Sequence, residues 1–104
     1  MKTITVQELK TRLEAGENIH LLDVREPFEN ADFNIGGVLL PLGDIRNMET
    51  ESIDNWKHDE IIAYCRSGNR SGIAAQILEQ MGFENVKNLV GGMLAWQRSF
   101  GSNK

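Results

Sequence analysis

Residues 61–71 run from an apolar stretch, Ile61-Ile62-Ala63-Tyr64-Cys65, through the compact polar turn Arg66-Ser67-Gly68-Asn69-Arg70-Ser71 and directly into a helical pattern. A short buried strand that opens straight into a helix is half of a β–α unit, and the same alternation recurs along the chain. Ile19-His20-Leu21-Leu22-Asp23-Val24 is another nearly continuous apolar strand, as a central parallel strand requires, and Val38-Leu39-Leu40 is a shorter one closed by Pro41. Val86-Lys87-Asn88-Leu89 is the last.

Between these strands the apolar spacing is helical. Thr5-Val6-Gln7-Glu8 forms a capping box, followed by Val6, Leu9 and Leu13 on one face, with Gly16 as the stop. Pro27 opens a short helical turn through Asn30, and Ile45 and Met48 belong to another short helix, followed by a polar loop through Trp56 and Asp59. From Arg70 to Met81 the residues Ile73, Ala74, Ile77, Leu78 and Met81 share a face, and Gly82 ends the helix. Gly91-Gly92 turns the chain into a final helix carrying Met93, Leu94, Trp96 and Phe100. The expected fold is α/β: a small, mostly parallel central sheet with helices on both faces, built as a single domain over residues 1–104. Ligands bind such sheets at the carboxyl ends of strands, where Cys65 and Asp23 both fall.

Cys65 is the only cysteine, so no internal disulfide is available and the fold needs no oxidising compartment. A lone cysteine can be no more than a small buried hydrophobe. Beside such a residue, however, two arginines and a glycine-bearing turn would have no use. A free thiol of pKa about 8.5 is only about 7% thiolate at pH 7.4. A helix dipole supplies roughly 0.3–2 kcal/mol, or about 0.2–1.5 pKa units. A neighbouring arginine shifts a pKa by roughly 1–3 units, and hydrogen bonds from loop amides add to that. Arg66, Arg70 and an amide nest together are therefore expected to make Cys65 a reactive thiolate, which the dipole alone would not ensure.

The net charge of −4 argues against nucleic acid as a partner. Around Cys65 the balance reverses, with no acidic residue between Cys65 and Leu78, which suits a small anionic substrate. The N-terminal residues carry no apolar signal stretch and no run is long enough to span a bilayer, so the expected location is the cytoplasm, with no membrane partner. His20 and His58 have no ligand spacing with Cys65, and no metal site is expected.

Three segments carry a family resemblance: Leu22-Asp23-Val24-Arg25-Glu26, Tyr64-Cys65-Arg66-Ser67-Gly68-Asn69-Arg70-Ser71, and Asn88-Leu89-Val90-Gly91-Gly92-Met93-Leu94-Ala95-Trp96. In this order, across nearly the whole chain, they resemble the small single-domain members of the rhodanese family. The resemblance implies a sulfurtransferase that needs no cofactor. Cys65 would attack a thiosulfate or persulfide donor, carry the sulfane sulfur as a persulfide, and yield it to a thiol or cyanide-like acceptor, with a sulfur-relay protein as a candidate partner. The amides of Arg66, Ser67, Gly68, Asn69 and Arg70 would cradle the outer sulfur.

The alternative readings are a partner-docking module without catalysis, and a phosphatase or arsenate reductase. An inactive module is expected to lack the cysteine or the loop arginines, and this chain has all three. The loop from Cys65 through Arg70 holds six residues, as in sulfur-transferring members, whereas related phosphatases and arsenate reductases carry one more. Asp23 is expected to hold Arg70 or Arg25 by a bidentate ion pair, and Arg66 to meet the anionic donor. One departure stands out: where many relatives place a histidine before Ile-Pro-Gly-Ala, this chain reads Phe33-Asn34-Ile35-Gly36-Gly37-Val38. Asn34 can hydrogen-bond but cannot titrate near neutral pH.

Overall fold

The computed structural model describes residues 1–102. Five strands form one sheet in the order β1-β5-β4-β2-β3: β1 (Lys2–Ile4), β2 (His20–Asp23), β3 (Val38–Leu39), β4 (Glu60–Tyr64) and β5 (Asn85–Leu89). Every pairing is parallel. The helices are α1 (Val6–Glu14), α2 (Pro27–Asp32), α3 (Leu42–Arg46), α4 (Asn69–Gln80) and α5 (Gly92–Phe100). No described helix is long and apolar enough to cross a membrane.

Strand alternation sorts the core into two layers. Leu22, Ile61, Ala63 and Val86 face one side, against Ile45 of α3 and Ala74, Ala75 and Leu78 of α4. Leu21, Ile62, Tyr64 and Leu89 face the other, against Leu9 of α1 and Met93 and Trp96 of α5. Because both faces are buried, Leu21 and Leu22 of β2 and Ile61, Ile62, Ala63 and Tyr64 of β4 follow one another as buried residues, which is why their apolar runs are unbroken rather than alternating. Each fully buried Leu or Ile side chain contributes about 1.5–3 kcal/mol, so the two layers supply most of the driving force.

Three elements differ from the sequence reading: α3 ends at Arg46 and leaves Met48, expected in that helix, exposed beyond it at φ 62°. Lys2–Ile4 forms the edge strand β1, paired with β5 through Lys2–Lys87, Thr3–Asn88 and Ile4–Leu89. With only Ile4 buried, it has no apolar pattern to read. The polar stretch expected as a loop contains a 3-10 turn, Glu51–Trp56, anchored by the buried Ile53.

The strand order places the site. From β2 the chain moves outward to β3, and from β4 it moves the opposite way to β5, so β2 and β4 are neighbours whose connections diverge. Their carboxyl ends lie side by side, Asp23 beside Tyr64 in register. This is a topological switch point, where open α/β sheets leave a crevice.

Candidate active site

Cys65 follows the last residue of β4 and is 1% exposed. The chain then bends through Gly68, whose backbone is left-handed at φ 100°, and enters α4 without a side-chain cap. The first-turn amides of α4 are therefore free to face an anion. Gly68 N donates to Cys65 Sγ at 3.1 Å, Ser71 N at 3.4 Å and Ser71 Oγ at 3.3 Å. Burial pushes the Cys65 thiol up. The Ser71 hydroxyl and the amides of Ser71, Gly68 and Ser67 more than offset that, leaving its pKa below the ordinary value.

The loop is held from behind by α5. Met93 N donates to Cys65 O and Leu94 N to Arg66 O, each at 2.9 Å. That approach requires Gly92: a Cβ there would lie 2.4 Å from Cys65 O and 2.7 Å from the Arg66 carbonyl carbon. Close backbone contact, rather than a plain turn, explains this glycine.

Of the residues singled out in the sequence, Asp23 and Arg25 meet as expected. Arg25 Nε and Nη2 donate to the Asp23 carboxylate at 2.9 and 2.8 Å, and both side chains are buried. Arg25 Nη2 also donates to Phe33 O, and Asn30 Nδ2 to Asp23. Burial works against the Arg25 charge, but the Asp23 carboxylate outweighs it and raises the pKa.

Arg70, the other arginine weighed as a partner for Asp23, lies elsewhere. It is bound not by Asp23 but by Glu29 of α2, in a fork of 2.7 and 2.8 Å. The Arg70 guanidinium holds the Glu29 carboxyl down to about 2. Its charge is thus offset by a carboxylate, while the causes that lower the Cys65 pKa are hydrogen bonds from Ser71, Gly68 and Ser67. Sequence cannot select among several carboxylates for an arginine 41 residues away.

Arg66, Ser67 and Asn69 are exposed, and their side chains make no hydrogen bond among the described residues. Arg66 borders a cleft of about 390 Å3, together with Arg25, Phe28, Asp32, Met93 and Leu94. Cys65 does not line it but lies one residue behind. Asn34 staples the segment after α2: its Nδ2 donates to Asn30 O, and its Oδ1 accepts from Gly36 N. No described group of three or more His, Cys, Asp or Glu side chains is placed to hold a metal ion.

Two residues at the sulfur had no assigned role in the sequence. Ser71 touches Sγ, and Asn88 of β5 touches Ser71. Asn88 carried a readable signal: a polar side chain in a strand that is otherwise buried must find partners.

The fold is thus a parallel sheet with a cysteine at its switch point, its sulfur hydrogen-bonded by helix-start amides. Residues 5–99 match the rhodanese-like domain family, and the chain belongs to the rhodanese family. It is 40% identical over 98 residues to a putative sulfurtransferase, YtwF, of Bacillus subtilis, covering 93% of this chain and 91% of that protein. It is 37% identical over 94 residues to a putative sulfur carrier protein, YrkF, of the same organism, covering 89% of this chain but only 49% of the relative. The chain thus spans about half the length of one relative and nearly all of the other. A crystal structure of a rhodanese-like domain protein from Staphylococcus aureus superposes with a TM-score of 0.80 at 31% identity, covering 92% of this chain and 91% of that one.

Proposed function

We propose that this chain is a sulfurtransferase that carries a sulfane sulfur on Cys65. The observation that carries the reading is the convergence of the Gly68 and Ser71 amides and the Ser71 hydroxyl on one buried sulfur. Donors aimed at a fixed point favour an anion there and need no reorganisation when charge appears. Hydrogen bonds that lower the Cys65 pKa enlarge its thiolate fraction, and a thiolate nucleophile requires no general base.

With thiosulfate as donor, the Cys65 thiolate attacks the outer sulfur. The new Sγ–S bond takes its electron pair from the thiolate, the S–S bond of thiosulfate breaks, and sulfite leaves with the released pair. In the second half, a thiol or cyanide-like acceptor attacks the outer sulfur of the persulfide and regenerates the thiolate. Arg66, exposed at the cleft edge, meets the anionic donor. Asp23 and Arg25 brace the carboxyl end of β2 beside the loop. The six-residue loop from Cys65 to Arg70 suits a single sulfur better than a tetrahedral oxyanion. A free cysteine that must stay reduced to act supports the cytoplasm as the location, and a sulfur-relay protein is the macromolecular acceptor this reading favours.

Intact-mass measurement after incubation with thiosulfate tests this. One sulfur bound as a persulfide adds about 32 Da. The expected result is one such increment, lost on adding cyanide, and absent in a folded Cys65→Ser protein. Sulfur uptake that persists in that variant would overturn the assignment.

A further inference from the structure

The Ser71 hydroxyl has one hydrogen and two acceptors within reach. Its Oγ lies 3.3 Å from Cys65 Sγ and also contacts Asn88 Oδ1 closely. The Asn88 amide is oriented by its other end, since Nδ2 donates to Gly68 O at 3.0 Å, which turns Oδ1 toward Ser71. Ser71 is fully buried and Asn88 is 9% exposed, so water does not compete for that hydrogen. A buried hydroxyl between a sulfur and a fixed carbonyl must serve one at the expense of the other.

The geometry points to Ser71 and Asn88 as a pair that directs one hydroxyl hydrogen bond toward or away from Cys65 and so serves it as a leaving group. Ser71 gives its hydrogen bond to Sγ when the sulfur is a thiolate and returns it to Asn88 when Sγ is bonded to a second sulfur. This rests on the sulfurtransferase reading above. In the discharge step the acceptor bonds to the outer sulfur, the Sγ–S bond breaks, and its electron pair stays on Sγ. At that moment the Ser71 hydroxyl rotates from the carbonyl to the sulfur; no proton is transferred and no other reactant is needed. Thiols leave faster when their anion is better stabilised, so the pair acts on discharge rather than on loading. Ser71 touches the reacting atom and is a catalytic residue; Asn88 acts through it and is a positioning residue.

The charged groups around the sulfur belong to other side chains. They are Arg70 on α4, paired with Glu29 of α2 and in the field of Glu26; Arg66 in the loop; and Asp23 of β2, locked to Arg25. Lys87 of β5 is bound to Glu60, and α5 carries no charged residue before Arg98.

The test combines the pH dependence of Cys65 alkylation with single-turnover rates. Ser71→Ala is expected to raise the alkylation midpoint by about one unit. It should slow discharge of preloaded persulfide to cyanide about three- to tenfold, while loading measured above the Cys65 titration is not slowed. A purely structural role would slow both halves. Asn88→Leu, which frees the Ser71 hydrogen for sulfur, is expected to lower the midpoint by about half a unit. In the Ser71→Ala background the same change should have no effect; Asn88→Ala replaces it if near-UV circular dichroism shows lost packing. An unchanged midpoint and discharge rate in Ser71→Ala overturns the proposal. So does an Asn88 effect of equal size with and without Ser71. If the unaltered protein takes up no sulfur, the sulfurtransferase reading fails separately, and the alkylation results alone decide the shared hydrogen.

Discussion

Helices α4 and α5 both leave the carboxyl end of a parallel strand through a glycine in the left-handed region, Gly68 at φ 100° and Gly91 at φ 77°, and neither has a side-chain cap. Each therefore offers unpaired amides at its start. The two helices use them differently. The amides of α5 are spent on backbone: Met93 N and Leu94 N hold the carbonyls of Cys65 and Arg66. At α4, the Gly68 and Ser71 amides converge instead on the Cys65 sulfur. One helix start is bound to neighbouring backbone and holds the loop; the other faces the sulfur. The same local geometry becomes scaffold or site according to what the neighbouring chain supplies.

Breaking the backbone-bound start should have the larger effect. Gly92→Ala puts a Cβ against the backbone of Cys65 and Arg66, which cannot rotate away, and imposes a left-handed conformation at φ 54°. Together these cost about 3 kcal/mol or more, which for a domain of this size lowers the thermal midpoint by more than about 10 °C. Differential scanning calorimetry checks this. A shift of only a degree or two would mean that α5 yields easily and does not fix the loop.

The sulfur-facing start should respond more in chemistry than in stability. At Gly68 an added Cβ would meet Gly91 N at 3.3 Å and Leu89 O at 3.4 Å, tight but not overlapping. Gly68→Ala is expected to cost about 1–2 kcal/mol for the left-handed backbone. By displacing the Gly68 amide, it should also raise the Cys65 alkylation midpoint by about one unit. A variant that loses stability but keeps the wild-type alkylation profile would show that this amide does not hold the thiolate.

Much of this contrast was legible in the sequence, but not its partners. The unbroken apolar runs of β2 and β4 pointed to the buried parallel sheet, and the turn from Cys65 to Ser71 placed the cysteine at a strand end before a helix. Gly92 was visible as a glycine, but the backbone it accommodates lies more than 25 residues earlier in the chain. The edge strand Lys2–Ile4 was missed because one buried residue in three makes no period. The partner of Arg70 was not legible for a physical reason: several carboxylates compete for one arginine, and the fold brings it Glu29 from 41 residues away.

That pairing gives a sharper test of hydrogen bonds against charge. Glu29→Gln frees Arg70, whose raised pKa owes part of its shift to the Cys65 charge, and should lower the alkylation midpoint by about half a unit. Arg70→Met leaves Glu29 unpaired near the site and should raise the midpoint by a similar amount. Removing both in one protein should return it to within about 0.3 unit of wild type. If the double variant still shows a large upward shift, Arg70 rather than the amides carries the thiolate, and the distinction between the two helix starts loses its chemical meaning.

The smallest effect concerns how α4 is tethered in acid. Glu29 binds Arg70, the second residue of α4, and so ties the sulfur-facing helix start to α2. Its carboxyl sits at about 2, against an ordinary value of 4.5. A lowered pKa means that between these values the unfolded chain binds more protons than the folded one. The contribution to stability is therefore complete above about pH 4.5 and is lost as pH falls toward 2. Glu60, held down to about 2 by Arg12 and Lys87 at the opposite end of β4, titrates in the same window. Glu29→Gln should therefore flatten only part of the fall in thermal midpoint between pH 4.5 and 2. At pH 7 it should cost about 0.5–1 kcal/mol, a few degrees. Glu60→Gln should flatten a comparable part while leaving Cys65 alkylation at pH 7 unchanged, because its ion pairs lie at the amino end of the sheet. Should the Glu60 change also alter alkylation, the two ends of the strands would be mechanically coupled, and the sulfur site would depend on more than the helix starts around it.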